Sequence, residues 1–491
     1  MSITSNSDFL ALIDGWTRSG HGSKAPVGPS VDLSVSRATE LRWRLAASEP
    51  LDLDLDDAAD AADILFAACR ALSDECANAP EATLATAATL WELLSRHGWT
   101  DDELGEREAL LCSLAFVAWR AARMLGLSKD AQNWEANYRS RFHSSVQWDV
   151  TALECAPGSP SLSDELVTYG AEGVLQVLLS LQELYETTPR VVSSKAAAVH
   201  EALTADKVAS ASDVRPFLLG LSARIAGTGN RIIGMYEEAS RWLDLAESHF
   251  RADLNPAPEL ARVSYQRLAL FYMLGHYDLI IKGSAVLESS LYEFGMHEDV
   301  VKCRILWAAS LKCVGECEKA FEVLEPVRTL AGEVRPALSG WVLMELGDLS
   351  LISSGYERGF QELAEAERLL REANQITGLT LTLAMMGFGY RMRGMFQEAV
   401  QLFTRARAEC TTLDSEALDA YVRLLISETY LAMGNWRAAE REVLEILPVF
   451  ERHGMVAEGV AGVTLLREAV RQRRLEPGKL REFRERFGPR W

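Results

Sequence analysis

The chain has 491 residues with 50 basic against 70 acidic side chains, a formal net charge of -20, and is 48% hydrophobic. That size and apolar content support a large buried core and exclude general disorder. An acidic body repels phosphate backbones, so nucleic-acid binding is disfavoured, and the most apolar run, 110–119, is about half of what a bilayer crossing requires, so no membrane partner is expected.

Taken in chain order, the first residues carry Asp8 and Asp14 inside their only apolar patch and no basic segment ahead of it, which does not read as a signal peptide. Residues 1–35 combine a short helix over 8–16 with a Gly/Pro/Ser-rich stretch over 19–30 and read as a flexible N-terminal segment. From Ser36 onward apolar residues recur at three-and-four spacing, and alternating β-branched segments are missing, so the protein is expected to be all-α. Helices are predicted over 36–48, 56–78, 81–96, 106–125 and 130–142, forming a helical N-terminal domain over 36–154. The Pro/Gly/Ser-rich break 155–163 ends on Ser163, a helix N-cap, and marks a boundary. A further pair is predicted over 164–185 and 193–203, with a turn over 187–190.

Within the N-terminal domain, 51–63 carries six aspartates and no base. Asp52, Asp54, Asp56 and Asp63 fit part of a calcium-loop register, but Asp57 stands where that turn needs glycine, and position 63 lacks the glutamate. Asp56, Asp57 and Asp60 also spell the DDxxD of all-helical terpenoid synthases, without a second metal motif. The reading preferred here is that these acids complement the positive end of a helix starting at Asp56.

The C-terminal half repeats. GMYEEA from Gly234, GHYDLI from Gly275, GECEKA from Gly315, GYERGF from Gly355, GMFQEA from Gly394 and GNWRAA from Gly434 recur, the fourth with its glycine slipped by one. The column Tyr236, Tyr277, Cys317, Tyr356, Phe396, Trp436 advances in steps of 41, 40, 39, 40 and 40. Glycine permits the left-handed residue that ends a helix, the aromatic fills a wedge between antiparallel helices, and a small residue lets them touch. That small position reads Ala239, Ile280, Ala320, Gly359, Ala399, Ala439. Seven residues before the turn a slim side chain recurs at Gly227, Ala308, Gly347, Gly387 and Ser427, with Leu268 as the exception. Leu243/Ala246, Leu324/Val327, Leu363/Ala366, Phe403/Ala406 and Val443/Ile446 are expected to bury against the next pair.

These residues resemble the tetratricopeptide-repeat (TPR) family over about 219–453, with a unit of 40 residues in place of the usual ~34. The resemblance implies a right-handed α-solenoid over 163–457, preceded by the helical N-terminal region. Residues 126–131 repeat the glycine-to-alanine spacing, so the array could extend upstream. A capping helix and basic tail are expected over 458–491, where nine bases against four acids follow from Arg467 onward. The tail caps the array or docks an acidic partner.

Catalytic signatures are missing: no HExxH, Gly-x-Ser-x-Gly, phosphate loop or GxGxxG after a strand is present, and the eight histidines are dispersed. The eight cysteines lack paired Cys-x-x-Cys blocks; Cys313 and Cys317 read as packed thiols, and a reducing cytoplasm is expected. No cofactor, metal or catalytic residue is assigned. In the TPR family the first helices face a concave groove, and this resemblance places Arg231, Tyr272, Lys312 and Arg391 three residues before the turn. Arg224, Tyr265 and Met344 fall ten before it, and Arg262, Lys302 and Trp341 thirteen before it, with Phe388 on the later apolar part. The family's carboxylate-clamp asparagines are absent from the matching positions. Such a groove suits a protein or peptide partner with acidic and hydrophobic anchors. The expected function is a non-enzymatic interaction scaffold or regulatory adaptor. The alternatives are a sensor whose superhelix changes shape with a peptide or small ligand, and an all-helical metal-dependent enzyme using Asp56, Asp57 and Asp60.

Overall fold

The computed structural model describes residues 69, 72–73, 76–96, 104–145, 162–185, 187–205, 213–411, 415–453 and 459–465. The segment 1–35, the aspartates of 51–63, most of the 155–163 break and the basic tail from Arg467 lie outside them. Among the described residues the regular structure is helical throughout, with no strand. The chain divides into two compact units, the first comprising Met1–Ser180, Ala202–Leu218 and Ala252–Pro256, the second Leu181–Glu201, Leu219–Arg251 and Ala257–Trp491.

The first unit contains α1 (Pro80–Arg96), α2 (Leu104–Met124), α3 (Ser128–Ser145) and most of α4 (Leu162–Glu183). Helix α2 packs against both α1 and α3. Its Leu110, Leu111, Leu114, Val117 and Ala118 join Leu72 and Ala87 in one core, which Trp91 and Trp134 border edge to face at 5.3 Å. Two buried arginines of α2 are neutralised inside this unit. Arg120 holds Asp213 through Nε at 2.9 Å and Nη2 at 2.7 Å, and Arg123 holds Asp253. Bidentate charge pairing of this kind offsets the desolvation of both groups.

The second unit holds the repeats, apart from residues 202–218 and 252–256, which belong to the first. After α5 (Pro189–Thr204) come six hairpins: α6 (Arg215–Ile232) with α7 (Tyr236–Arg251), and α8 (Pro256–Met273) with α9 (Tyr277–Glu293). Next is α10 (His297–Cys313), whose partner is broken into α11 (Cys317–Leu324), a 3-10 turn and α12 (Arg328–Val334). Then follow α13 (Pro336–Ile352) with α14 (Tyr356–Glu372), α15 (Ile376–Met392) with α16 (Phe396–Cys410), and α17 (Glu416–Ala432) with α18 (Trp436–Arg452). The interruption after Leu324 falls at Pro326, which lacks an N–H and crowds the preceding turn. The predicted turn over 187–190 is shorter than expected, because Pro189 opens α5, a first-turn position that its fixed φ favours.

The sequence columns map onto helix anatomy. Each of Tyr236, Tyr277, Cys317, Tyr356, Phe396 and Trp436 is the first residue of a second helix. The small column is buried throughout, and a methyl at Gly347 or Gly387 would stand 2.7 Å from Leu363 or Phe403 of the facing helix. Slim residues on the first helix thus receive the large residue four past the small column of the second. Leu243, Leu324, Leu363, Phe403 and Val443 are all at most 1% exposed, each burial supplying about 1.5–3 kcal/mol. The aromatic column differs from expectation: Tyr236 is buried, whereas Tyr277, Tyr356, Phe396 and Trp436 are half-buried. At the mouth of the turn an arginine covers two of these rings, Arg393 5.9 Å over Tyr356 and Arg437 5.1 Å over Trp436.

Every turn within a hairpin closes the same way. The residue after the left-handed position donates its N–H to the carbonyl five residues back, as in Met235 to Asn230 at 2.8 Å and Asn435 to Tyr430 at 2.8 Å. Gly234, Gly275, Gly315, Gly394 and Gly434 have φ between 75° and 85°. In the slipped fourth copy the left-handed residue is Ser354 at φ 64°, while Gly355 has φ -83°.

First helices also touch first helices of the next hairpin, α10 with α13, α13 with α15 and α15 with α17. That places them on the tighter, inner side of the stack. A second feature had no counterpart in the sequence reading. One buried cluster gathers Tyr236, Ala239 and Leu243 of α7 with Ala417, Ala420 and Leu424 of α17 and Val443, Ile446, Leu447 and Phe450 of α18. The α6–α7 turn is held there by Ser415 Oγ on the Ile232 carbonyl (3.4 Å) and His453 Nδ1 on the Gly234 carbonyl (3.0 Å). The first and last hairpins of the array therefore share a core.

Candidate functional site

The site predicted from sequence is the wall built by the first helices. Of its eleven residues, Arg231, Arg262, Tyr265, Tyr272, Lys302, Lys312, Trp341, Phe388 and Arg391 are half-buried, Arg224 is buried at 7% exposure, and Met344 is buried at 1%. Met344 corrects the expectation, because it packs in the core with Leu351, Leu363 and Leu383 and offers no surface. Hairpin-to-hairpin packing at this step brings the following first helix close enough to cover it.

The cations are organised by acids that the sequence reading did not single out. Lys312 of α10 reaches both Glu345 Oε2 and Asp348 Oδ2 of α13 at 2.6 Å. Arg391 of α15 pairs with Glu428 of α17 and stacks 5.0 Å over Phe388. Arg262 of α8 bonds Glu259 on its own helix and lies 3.4 Å from Asp299 of α10. Lys302 contacts Glu298 at 2.6 Å and Asp299 at 3.7 Å, and Arg224 lies 3.6 Å from Glu259. A register signal was available. Acids six residues before a turn, Asp348 and Glu428, receive cations three before the preceding turn, and Asp299, sixteen before, receives Arg262, thirteen before. The offset of three residues is nearly one helical turn, which two adjacent helices at a small stagger bring level.

Burial and charge compete on this wall. Burial disfavours the Lys312 ammonium, but Glu345 and Asp348 outweigh it and raise its pKa well above the usual lysine value. Burial likewise opposes ionisation of Asp299, yet Lys302, Arg262 and Arg224 hold it below its ordinary value. The phenols of Tyr265 and Tyr272 are pushed up by burial although both rings keep partial access to solvent. Tyr272 also packs edge to face on Tyr277 at 5.5 Å and meets Cys313 Sγ at 3.9 Å.

Other candidates resolve differently. Cys303 is buried, 3.7 Å from the Ser284 carbonyl, with its thiol pushed up to about 12, an inert state for sulfur chemistry. Among the described residues no group of three or more His, Cys, Asp or Glu side chains could hold a metal ion, and no helix is long and apolar enough to cross a membrane. Asp56, Asp57 and Asp60 lie outside the described residues.

Fold and wall together define an all-helical protein of repeated helix hairpins whose first helices carry tyrosines and paired charges. No protein-family model matches the chain, and no curated protein matches it. Among solved structures it is similar to a Rap protein complexed with competence and sporulation factor, at 11% identity over 76% of this chain and 98% of that one, TM-score 0.44. It is also similar to the Rap conjugation gene regulator of plasmid pLS20 in complex with the Phr* peptide (10%, 70% and 95%, TM-score 0.46) and to NprR in complex with its cognate peptide NprX (14%, 77% and 99%, TM-score 0.42).

Proposed function

We propose that this protein is a non-catalytic, cytoplasmic interaction scaffold or regulatory adaptor, a long-unit variant of the TPR type, that takes a peptide segment of a partner along its first-helix wall. The observation that carries this reading is the wall itself. Tyr265, Tyr272, Trp341 and Phe388 are half-buried on helices that face inward, so each retains surface for a ligand. Between them the cations other than Arg231 are already fixed by acids, which limits the side-chain entropy lost on binding. Aromatic anchors in a recessed wall with charges at set positions suit an extended or helical segment.

A random decapeptide pool passed over the immobilised full chain tests this. Retention of a defined subset, reduced about tenfold or more by Trp341→Ala, is the expected result; a pool that passes unretained would remove the reading. A ligand-sensing regulator is the second reading. It is favoured by the shared core of α7, α17 and α18, because a ligand that spreads the wall must work against that contact.

A further inference from the structure

Among the wall's cations, Arg231 is the exception. Three residues before their turns, Lys312 and Arg391 each meet an acid six before the next turn, Asp348 and Glu428. The corresponding position for Arg231 is Ala269, 6% exposed and without charge. Arg231 forms no ion pair among the described residues; its Nε, like that of Arg224, is buried without a hydrogen-bond partner, but Arg224 has Glu259 at 3.6 Å. A buried donor left unpaired costs about 1–3 kcal/mol, more when charged. Nor do the neighbouring acids make up the deficit: Glu259 pairs with Arg224 and Arg262, Asp299 with Arg262 and Lys302, and neither forms an ion pair with Arg231.

The environment suits an anion. Arg231 lies within electrostatic reach of the phenols of Tyr185 and Tyr265, each pushed up by burial and partly relieved by the surrounding cations. Both rings therefore stay protonated at neutral pH, and Tyr265, half-buried on the wall, is open to a ligand. Arg224 and Lys302 reach the same tyrosine, Tyr185, so the field there is positive from several directions.

We propose that Arg231 is the anion-recognition point of the groove, receiving a carboxylate of the bound peptide in the place that an acidic side chain occupies beside Lys312 and Arg391. The guanidinium supplies a planar pair of donors for carboxylate, and a recessed location strengthens the contact relative to open solvent. This inference rests on the peptide-binding reading above and assigns it a polarity: the acidic end of the ligand lies at the α6–α8 end of the wall.

The test uses the full chain and random decapeptide pools in three forms: unmodified, C-terminally amidated, and amidated with Asp and Glu omitted. Wild type should retain the third pool about tenfold or more less well than the first, and the second pool decides whether the chain end or an acidic side chain is the ligand. Arg231→Gln should abolish that discrimination while retaining carboxylate-free peptides as wild type does. Arg231→Glu should reverse it toward basic peptides, and Ala269→Asp, which supplies the missing partner, should suppress it without touching Arg231. Circular dichroism and thermal melting of each variant report folding. If Arg231→Gln keeps the wild-type preference, or if wild type retains peptides regardless of carboxylate, the subsite is wrong and the groove reading survives. If wild type retains no peptide in any pool, the groove reading falls and this assignment with it.

Discussion

At the scale of single residues, the turn column shows what one slipped glycine costs. Ser354 occupies a left-handed conformation at φ 64° that all five of its counterparts give to glycine. For an L residue other than glycine that region costs roughly 1–2 kcal/mol, set against glycine's greater loss of freedom on folding. Ser354→Gly should therefore stabilise the protein by about 0.5–1 kcal/mol, read as a higher urea midpoint at unchanged slope. An unchanged midpoint would mean that the serine bears no strain. The half-buried wedge makes a second residue-level prediction. Phe403 is fully buried against Gly387, so Phe403→Ala should cost about 3–5 kcal/mol. Trp436, only half-buried with Arg437 stacked over its ring, should cost only about 1–2 kcal/mol on truncation. Equal losses in denaturant titrations would put Trp436 back in the core.

Between elements, register is maintained by charge as well as packing. The Lys312 bridge from α10 to two acids of α13 is buried on both sides, Glu345 at 5% and Asp348 at 8% exposure. Breaking such a group by removing one partner is far more damaging than never having built it. Lys312→Met should cost about 3–5 kcal/mol at neutral pH, because it strands two carboxylates. Adding Glu345→Gln and Asp348→Asn to that variant should recover most of the loss. A small loss in the single variant, or no recovery in the triple, would show that the bridge does not hold the two hairpins in step. The same logic explains why most predicted groove cations are structural: they stand on first helices, and Arg224, Arg262, Lys312 and Arg391 are each paired with an acid of a neighbouring hairpin.

At the scale of the repeat unit as a whole, the joining of first and last hairpins sets how the wall can respond to an occupant. The contact combines an apolar patch around Leu424, Leu447 and Phe450 with hydrogen bonds from Ser415 and His453 to the α6–α7 turn. Spin labels at the exposed positions Met235 and Arg452 should give one short distance in the full chain. Leu447→Asp, which buries a charge in the shared patch, should broaden and lengthen it while the helical content is kept. A long, broad distribution in the unmodified protein would mean that the array is open in solution.

The amino-acid order alone fixed the helical class, the forty-residue step, the turn positions and the columns of small and large apolar residues, Gly387 and Phe403 among them. These serve contacts between helices joined by a short turn, and a local periodicity specifies them residue by residue. The eleven residues it singled out all stand on first helices. Three things needed the folded chain: the burial of Met344, the pairing of Lys312 and Arg391 that singles out Arg231, and the meeting of Ile232 with Ser415 across 183 residues. Each depends on small displacements between successive hairpins that accumulate along the stack, and no single turn motif encodes that sum.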